Sequence, residues 1–105
     1  MLIQINTDKN IEGGEGLIAH FTETLNNTLD RFDEQITRLE VHLSDENGKK
    51  EVGDDKKCVL EARIKGLNPI AVTSHAATLH QAVKAASEKL ISSLEKAIGH
   101  QRVGH

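Results

Sequence analysis

Aromatic side chains are almost missing from this sequence of 105 residues. It contains two Phe and no Trp or Tyr. Proteins that read unpaired bases usually stack them on aromatic rings. The composition therefore weighs against a function that depends on base stacking.

Cysteine and long apolar runs are scarce as well. The single cysteine, Cys58, cannot form an internal disulfide and says little about the compartment. No apolar run approaches the roughly 20 residues that a membrane span needs. Met1 leads straight into LIQIN, without the basic and apolar segments of a secretory signal. We predict a cytoplasmic protein with no membrane partner, one domain over residues 1–100 and a flexible tail over residues 101–105.

Charge is unevenly distributed along the chain. Residues 1–55 hold 5 Lys and Arg against 13 Asp and Glu, a net charge of −8, whereas residues 56–105 hold 8 against 3, a net charge of +5. If the fold keeps the two halves apart, the protein has one acidic and one basic surface. If the halves interleave in space, the asymmetry disappears.

Apolar residues recur in the sequence with two different spacings, one typical of strands and one typical of helices. Residues 2–6, 36–44, 57–66 and 70–74 follow the period of two of half-buried strands. Residues 17–32 carry one apolar stripe of helical period, and residues 78–98 carry another. Thr78 and Gln81 form a capping-box pattern that starts the last helix, and Gly99 is suited to end it. The prediction is an α+β fold of order β-α-β-β-β-α, with a four-stranded sheet and two helices packed side by side on one face.

The stretch SDENGKKEVGDDKK, residues 44–57, resembles a cation-binding loop at first sight. A calcium loop of the EF-hand type needs oxygen ligands at positions 1, 3 and 5, before a glycine at position 6. Setting Gly48 or Gly53 at position 6 places Leu43 or Gly48 at position 1, so neither register works. We interpret the stretch as the connection between the second and third strands.

No pattern predicts catalysis, a cofactor or a small-molecule substrate. His75 and His80 are five residues apart, not the four that share a helix face, and His20 and His42 lack a partner at a recognisable ligand spacing. The nucleophile-elbow, phosphate-loop and dinucleotide-binding motifs are missing. We predict a non-enzyme with no metal site.

Basic side chains are the remaining candidates for function. The polar face of the sheet carries Arg38, Lys57, Arg63 and Lys65, interrupted by Glu40 and Glu61. The exposed side of the last helix carries Lys84, Lys89 and Lys96, followed by Arg102. Each of them alone is also typical of an ordinary solvated surface.

The order of elements and several motifs resemble the ribosome hibernation-promoting factors, also called ribosomal subunit interface proteins. INTDKNIE resembles the opening strand and turn of that family, LDRF the end of its first helix, and TLHQAVKAASEKLISSLEK its last helix. The chain is similar to the short form of the family. Arg31, Lys89 and Lys96 fall at positions that are basic in the family, whereas Glu23 and Asn26 replace commonly basic residues of the first helix.

The resemblance implies a non-catalytic protein that binds the small ribosomal subunit between head and body, over the sites of messenger and transfer RNA. Such a protein favours idle ribosomes under stress. Its partners would be ribosomal RNA and possibly ribosomal proteins, and it would be a monomer off the ribosome. The alternative is a divergent member that binds a protein partner and no ribosome. The predicted RNA-binding residues are Arg31, Arg38, Arg63, Lys65, Lys84, Lys89, Lys96 and Arg102.

Overall fold

The computed structural model describes residues 1–46 and 56–103, with side chains up to residue 99. Its elements, in chain order, are β1 (Leu2–Thr7), α1 (Gly14–Thr28), a short 3₁₀ helix (Asp30–Phe32), β2 (Ile36–Asp45), β3 (Lys56–Ile64), β4 (Ile70–Ala76) and α2 (Leu79–Val103). The predicted α+β class and the order β-α-β-β-β-α are confirmed. Most of the connection after Asp45, and the end of the predicted tail after Val103, lie outside the described residues.

The four strands lie in the sheet in their chain order. β1 is parallel to β2, and the pairs β2–β3 and β3–β4 are antiparallel. Hence β1, β2 and β4 all begin at one end of the sheet, which we name the Met1 end. They finish at the opposite end, named the Asp45 end. Both helices start at the Asp45 end and run back toward the Met1 end.

One face of the sheet forms the core with the two helices, as the alternation predicts. Inward residues of β2 and β3 are fully or almost fully buried, whereas their outward neighbours reach solvent. The helical stripes complete the same cluster of side chains, so both helices cover one face. The buried apolar strand residues include Ile36, Leu39, Val41, Leu43, Cys58, Leu60, Ala62 and Ile64, and the buried helix residues include Phe21, Leu25, Val83, Ala86, Leu90 and Leu94.

The sequence predicts both ends of the last helix, the start from Thr78 and Gln81 and the end from Gly99. Its start is confirmed, because the Gln81 backbone N–H donates to Thr78 Oγ1 at 3.1 Å. Its predicted end at Gly99 is wrong. Gly99 does not adopt a positive φ, and the helix continues to Val103. Glycine permits the left-handed conformation that ends a helix but does not impose it.

The first helix is displaced from its predicted range. It begins at Gly14, where the preceding Gly13 has φ +122°, and a Cβ there would lie 2.9 Å from Leu17 Cβ. Glycine is therefore required at this entry. The helix ends at Thr28, since the chain tightens into the 3₁₀ helix that carries Phe32 into the core.

Candidate nucleic-acid interface

Three of the predicted basic residues meet at the Met1 end of the open sheet face. Arg38 on β2 and Arg63 on β3 are directly opposite each other in the register. Lys65 follows β3 immediately and is fixed by a backbone hydrogen bond of 2.9 Å to the Gln35 carbonyl. We name Arg38, Arg63 and Lys65 the sheet-end cluster. Leu2, which is 60% exposed, adjoins it as the β1 partner of Arg38.

The sheet-end cluster holds uncompensated positive charge. Like charges directly opposite each other destabilise a sheet. Among the contacts of the described residues, Arg38 alone is relieved, by Glu40 at 3.6 Å and by a hydrogen bond to Gln4. Arg63 and Lys65 are exposed and make no ion pair within residues 1–46 and 56–99. An anion placed against this end of the sheet would remove the repulsion.

The predicted lysines of α2 lie on different flanks of that helix. Lys84, Lys89 and Lys96 are all exposed, and Lys84 lines the groove between α1 and α2. Lys89 Nζ donates to the Thr73 carbonyl of the edge strand β4 at 2.7 Å. The open sheet face lies on the opposite side of the sheet from α2, so the structure divides the predicted residues between two surfaces.

Arg31 is engaged within the protein. It forms an ion pair of 3.0 Å with Glu95 of α2 and lies 4.6 Å above the Phe32 ring. Both charged side chains are more than half exposed, and an exposed pair of this kind contributes at most about 1 kcal/mol. A phosphate could displace Glu95 at small cost. The side chain of Arg102 lies outside the described residues.

The two charged halves of the sequence stay apart in space. The acidic half supplies β1, α1 and β2, and the basic half supplies β3, β4 and α2, which adjoin along the β2–β3 boundary. Within the described residues the two halves thus occupy different strands and helices, although Arg38 of the acidic half joins the sheet-end cluster. Helix α1 contains no Lys or Arg and exposes Glu15 and Glu23.

The start of the predicted connection between β2 and β3 is occupied by ion pairs. Asp45 Oδ2 bonds Lys56 at 2.9 Å, and Glu46 Oε1 lies 3.0 Å from His75 Nε2 and 3.7 Å from Lys57 Nζ. The His75 hydrogen bond, more than any other contact, lowers the pKa of Glu46. The two lysine pairs join the ends of the adjacent antiparallel strands β2 and β3, as expected of a hairpin, and the His75 contact extends from the end of β2 to β4. The described part of the chain holds no group of three or more potential metal ligands.

Cys58 is buried in the core, and this burial raises the pKa of its thiol to about 12. The thiolate is the nucleophilic form. We therefore expect no alkylation of Cys58 by iodoacetamide at pH 8 in the folded protein, and complete alkylation in denaturant. Mass spectrometry of the two samples measures this. Rapid modification of the folded protein would contradict the buried position.

Comparison with known proteins identifies the class to which this four-stranded domain belongs. Its fold is similar to the crystal structure of the Thermus thermophilus Protein Y N-terminal domain, with a TM-score of 0.69 and 21% identity over 91% of this chain and 98% of that one. It is also similar to a ribosomal subunit interface protein from Coxiella burnetii, with a TM-score of 0.68 and 16% identity over 94% and 99% of the two chains.

The family follows from a sequence model. Residues 3–102 match the family described as Sigma 54 modulation protein / S30EA ribosomal protein, and the chain belongs to that family. This confirms the resemblance found in the sequence. No curated protein matches the chain. None of the helices, as far as they are described, is long and apolar enough to span a membrane.

Proposed function

We propose that this protein is a non-catalytic ribosome-binding factor of the hibernation type. It occupies the small subunit between head and body, over the messenger and transfer RNA sites, when cells are under stress. Membership of the S30EA ribosomal protein family supports this assignment. The single structural observation that carries it is the sheet-end cluster, where Arg63 and Lys65 are exposed without a counter-charge among the described residues.

The sheet-end cluster would bind ribosomal RNA through its positive charge. Lys and Arg side chains that neutralise phosphates release counterions, and this release dominates sequence-independent binding to nucleic acid. Arg63 and Lys65 are available at once, as are Lys84 and Lys96, which are exposed on α2. Arg31 and Lys89 would first have to leave Glu95 and the Thr73 carbonyl. We assign the strongest phosphate contacts to the first group.

The proposal includes the setting in which binding occurs. The protein acts in the cytoplasm as a monomer when it is off the ribosome. Its partner is ribosomal RNA, with ribosomal proteins as further candidates, and binding to the ribosome involves neither a cofactor nor a small-molecule substrate. The net charge of −3 makes indiscriminate binding to nucleic acid unfavourable, so the local basic surfaces have to supply the attraction.

Co-sedimentation with ribosomes through a sucrose gradient tests the proposal. Purified protein is mixed with ribosomes and separated subunits at low and at near-physiological salt. We expect it to migrate with the small subunit and with intact ribosomes at both salts. Protein that stays at the top of the gradient at both salts would refute ribosome binding by this chain.

A second candidate function is a protein-protein interaction module without ribosome binding. It is favoured by α1, which has no Lys or Arg and exposes Glu23, with exposed Asp30 just beyond its end. Such a surface would repel phosphates and attract a basic protein.

The double variant Glu23→Lys, Asp30→Lys separates the two functions. If the ribosome is the partner, we expect unchanged or tighter co-sedimentation, because the variant removes repulsion from RNA. If a basic protein is the partner, its capture on the immobilised protein should be lost on the same double substitution. Loss of ribosome binding in this variant would contradict the first function as we assign its contacts.

A further inference from the structure

Two histidines from distant parts of the sequence meet between the helices. His20 on α1 and His80 on α2 are 60 positions apart, and their Nε2 atoms lie 3.1 Å from each other. Both side chains are exposed. The pair is located near the Asp45 end of the helices, on the side of the molecule opposite the sheet-end cluster.

The separation of the two nitrogen atoms suits a shared metal ion. Imidazole nitrogens bind Zn²⁺ at roughly 2.0–2.1 Å, so two legs of a regular tetrahedron place them roughly 3.3 Å apart. At 3.1 Å the angle at the ion would be about 98° with the same bond lengths. A small rotation of either ring would bring it to the tetrahedral value.

The rings are supported from below by the core. Phe21 is 1% exposed, and its ring centroid lies 5.1 Å from that of His20 and 5.0 Å from that of His80. The two imidazole centroids are themselves 5.0 Å apart. The phenyl ring thus limits how far either imidazole can move. The two side chains therefore lose less conformational entropy when an ion binds.

We propose that His20 and His80 together bind a divalent late transition-metal ion, with Zn²⁺ as the representative. Imidazole is a ligand that this class of ion favours. Since the described residues supply no third ligand in the cluster, water completes the coordination, and the exposed position allows the ion to enter from solvent. The ion would cross-link α1 to α2. This site is independent of ribosome binding.

Zinc binding by single variants tests the site. Isothermal titration with ZnCl₂ is performed on the full chain, on His20→Gln, on His80→Gln and on His42→Gln as the matched control. His42 is an exposed imidazole on the open sheet face. Removing a metal ligand should weaken metal binding at least as much as removing a residue that only hydrogen-bonds to a ligand. We therefore expect the Kd for Zn²⁺ to rise roughly tenfold or more in His20→Gln and in His80→Gln. The control should bind like the unaltered protein.

A second readout distinguishes the cross-link from adventitious binding. Added ZnCl₂ should raise the Tm of the unaltered protein and of His42→Gln, and should leave the Tm of the other two variants unchanged. Circular dichroism verifies that each variant is folded. The site is refuted if the unaltered protein binds no zinc, or if His20→Gln and His80→Gln retain its affinity. In that event the contact is only a hydrogen bond between imidazoles.

Discussion

Replacing Arg63 and Lys65 together by glutamine is expected to weaken ribosome binding roughly 25- to 60-fold at roughly 0.1 M salt. The logarithm of the binding constant falls by roughly 0.7–0.9 per neutralised phosphate for each tenfold rise in salt. Each phosphate contact therefore strengthens binding roughly five- to eightfold when the salt concentration falls from about 1 M to about 0.1 M. Neither side chain has an ion pair within the described residues, so the substitution removes binding charge without breaking a contact.

The slope of affinity against salt is the more specific measurement. It should fall by roughly 1.4–1.8 in the double variant, because two phosphate contacts are lost. Lys9→Gln is the matched control, since Lys9 is exposed in the turn after β1, at the Asp45 end. We expect little change of slope for the control. An unchanged slope in the double variant would remove the sheet-end cluster from the interface.

The same titration decides between the two basic surfaces. Lys84→Gln with Lys96→Gln removes two exposed charges from α2. If both surfaces contact RNA, the effects of the two double variants should add, because the sites are distant and share no partner. If only one surface is buried on the ribosome, the salt slope should fall in the double variant of that surface and stay unchanged in the other.

The sequence predicts the core of this protein because burial has a period that can be read from one segment at a time. Leu39, Val41 and Leu43 alternate with polar residues, and all three are buried. The stripe of α2 gives the same result for Leu90 and Leu94. Each strand and each helix has one apolar side. This is satisfied when one layer of helices covers one face of the sheet, so the α+β class could be predicted.

Contacts across the fold could not be predicted in this way. The Arg31–Glu95 ion pair spans 64 positions, and the His20–His80 contact spans 60. Both depend on how α1 and α2 are placed against each other, which no local period encodes. The opposition of Arg38 and Arg63 depends on strand register. The basic residues were therefore found as a set, but their division between two surfaces required the structure.

Truncation of Leu90 to alanine is expected to have the largest effect on stability, about 2–5 kcal/mol. Leu90 is fully buried in the middle of α2, within the cluster formed by both helices and the sheet. The substitution loses transfer free energy and leaves a cavity that the surrounding side chains fill only in part. A domain of this size is stable by roughly 5–15 kcal/mol in total. The variant would thus lose a large part of its free energy of unfolding.

Urea denaturation followed by circular dichroism measures the loss as a lower midpoint at an unchanged slope. The matched control is Ser92→Ala, an exposed position two residues further along the same helix, which should change the free energy of unfolding by no more than about 0.5 kcal/mol. Equal stability of the two variants would contradict the packing of α2 on the sheet. That packing also holds Lys84 and Lys96 in place, because both project from the same helix, each about 120° around its axis from Leu90. A destabilised Leu90→Ala should therefore lose ribosome binding only under conditions in which its circular dichroism shows unfolding, whereas Lys84→Gln with Lys96→Gln should lose binding while fully folded.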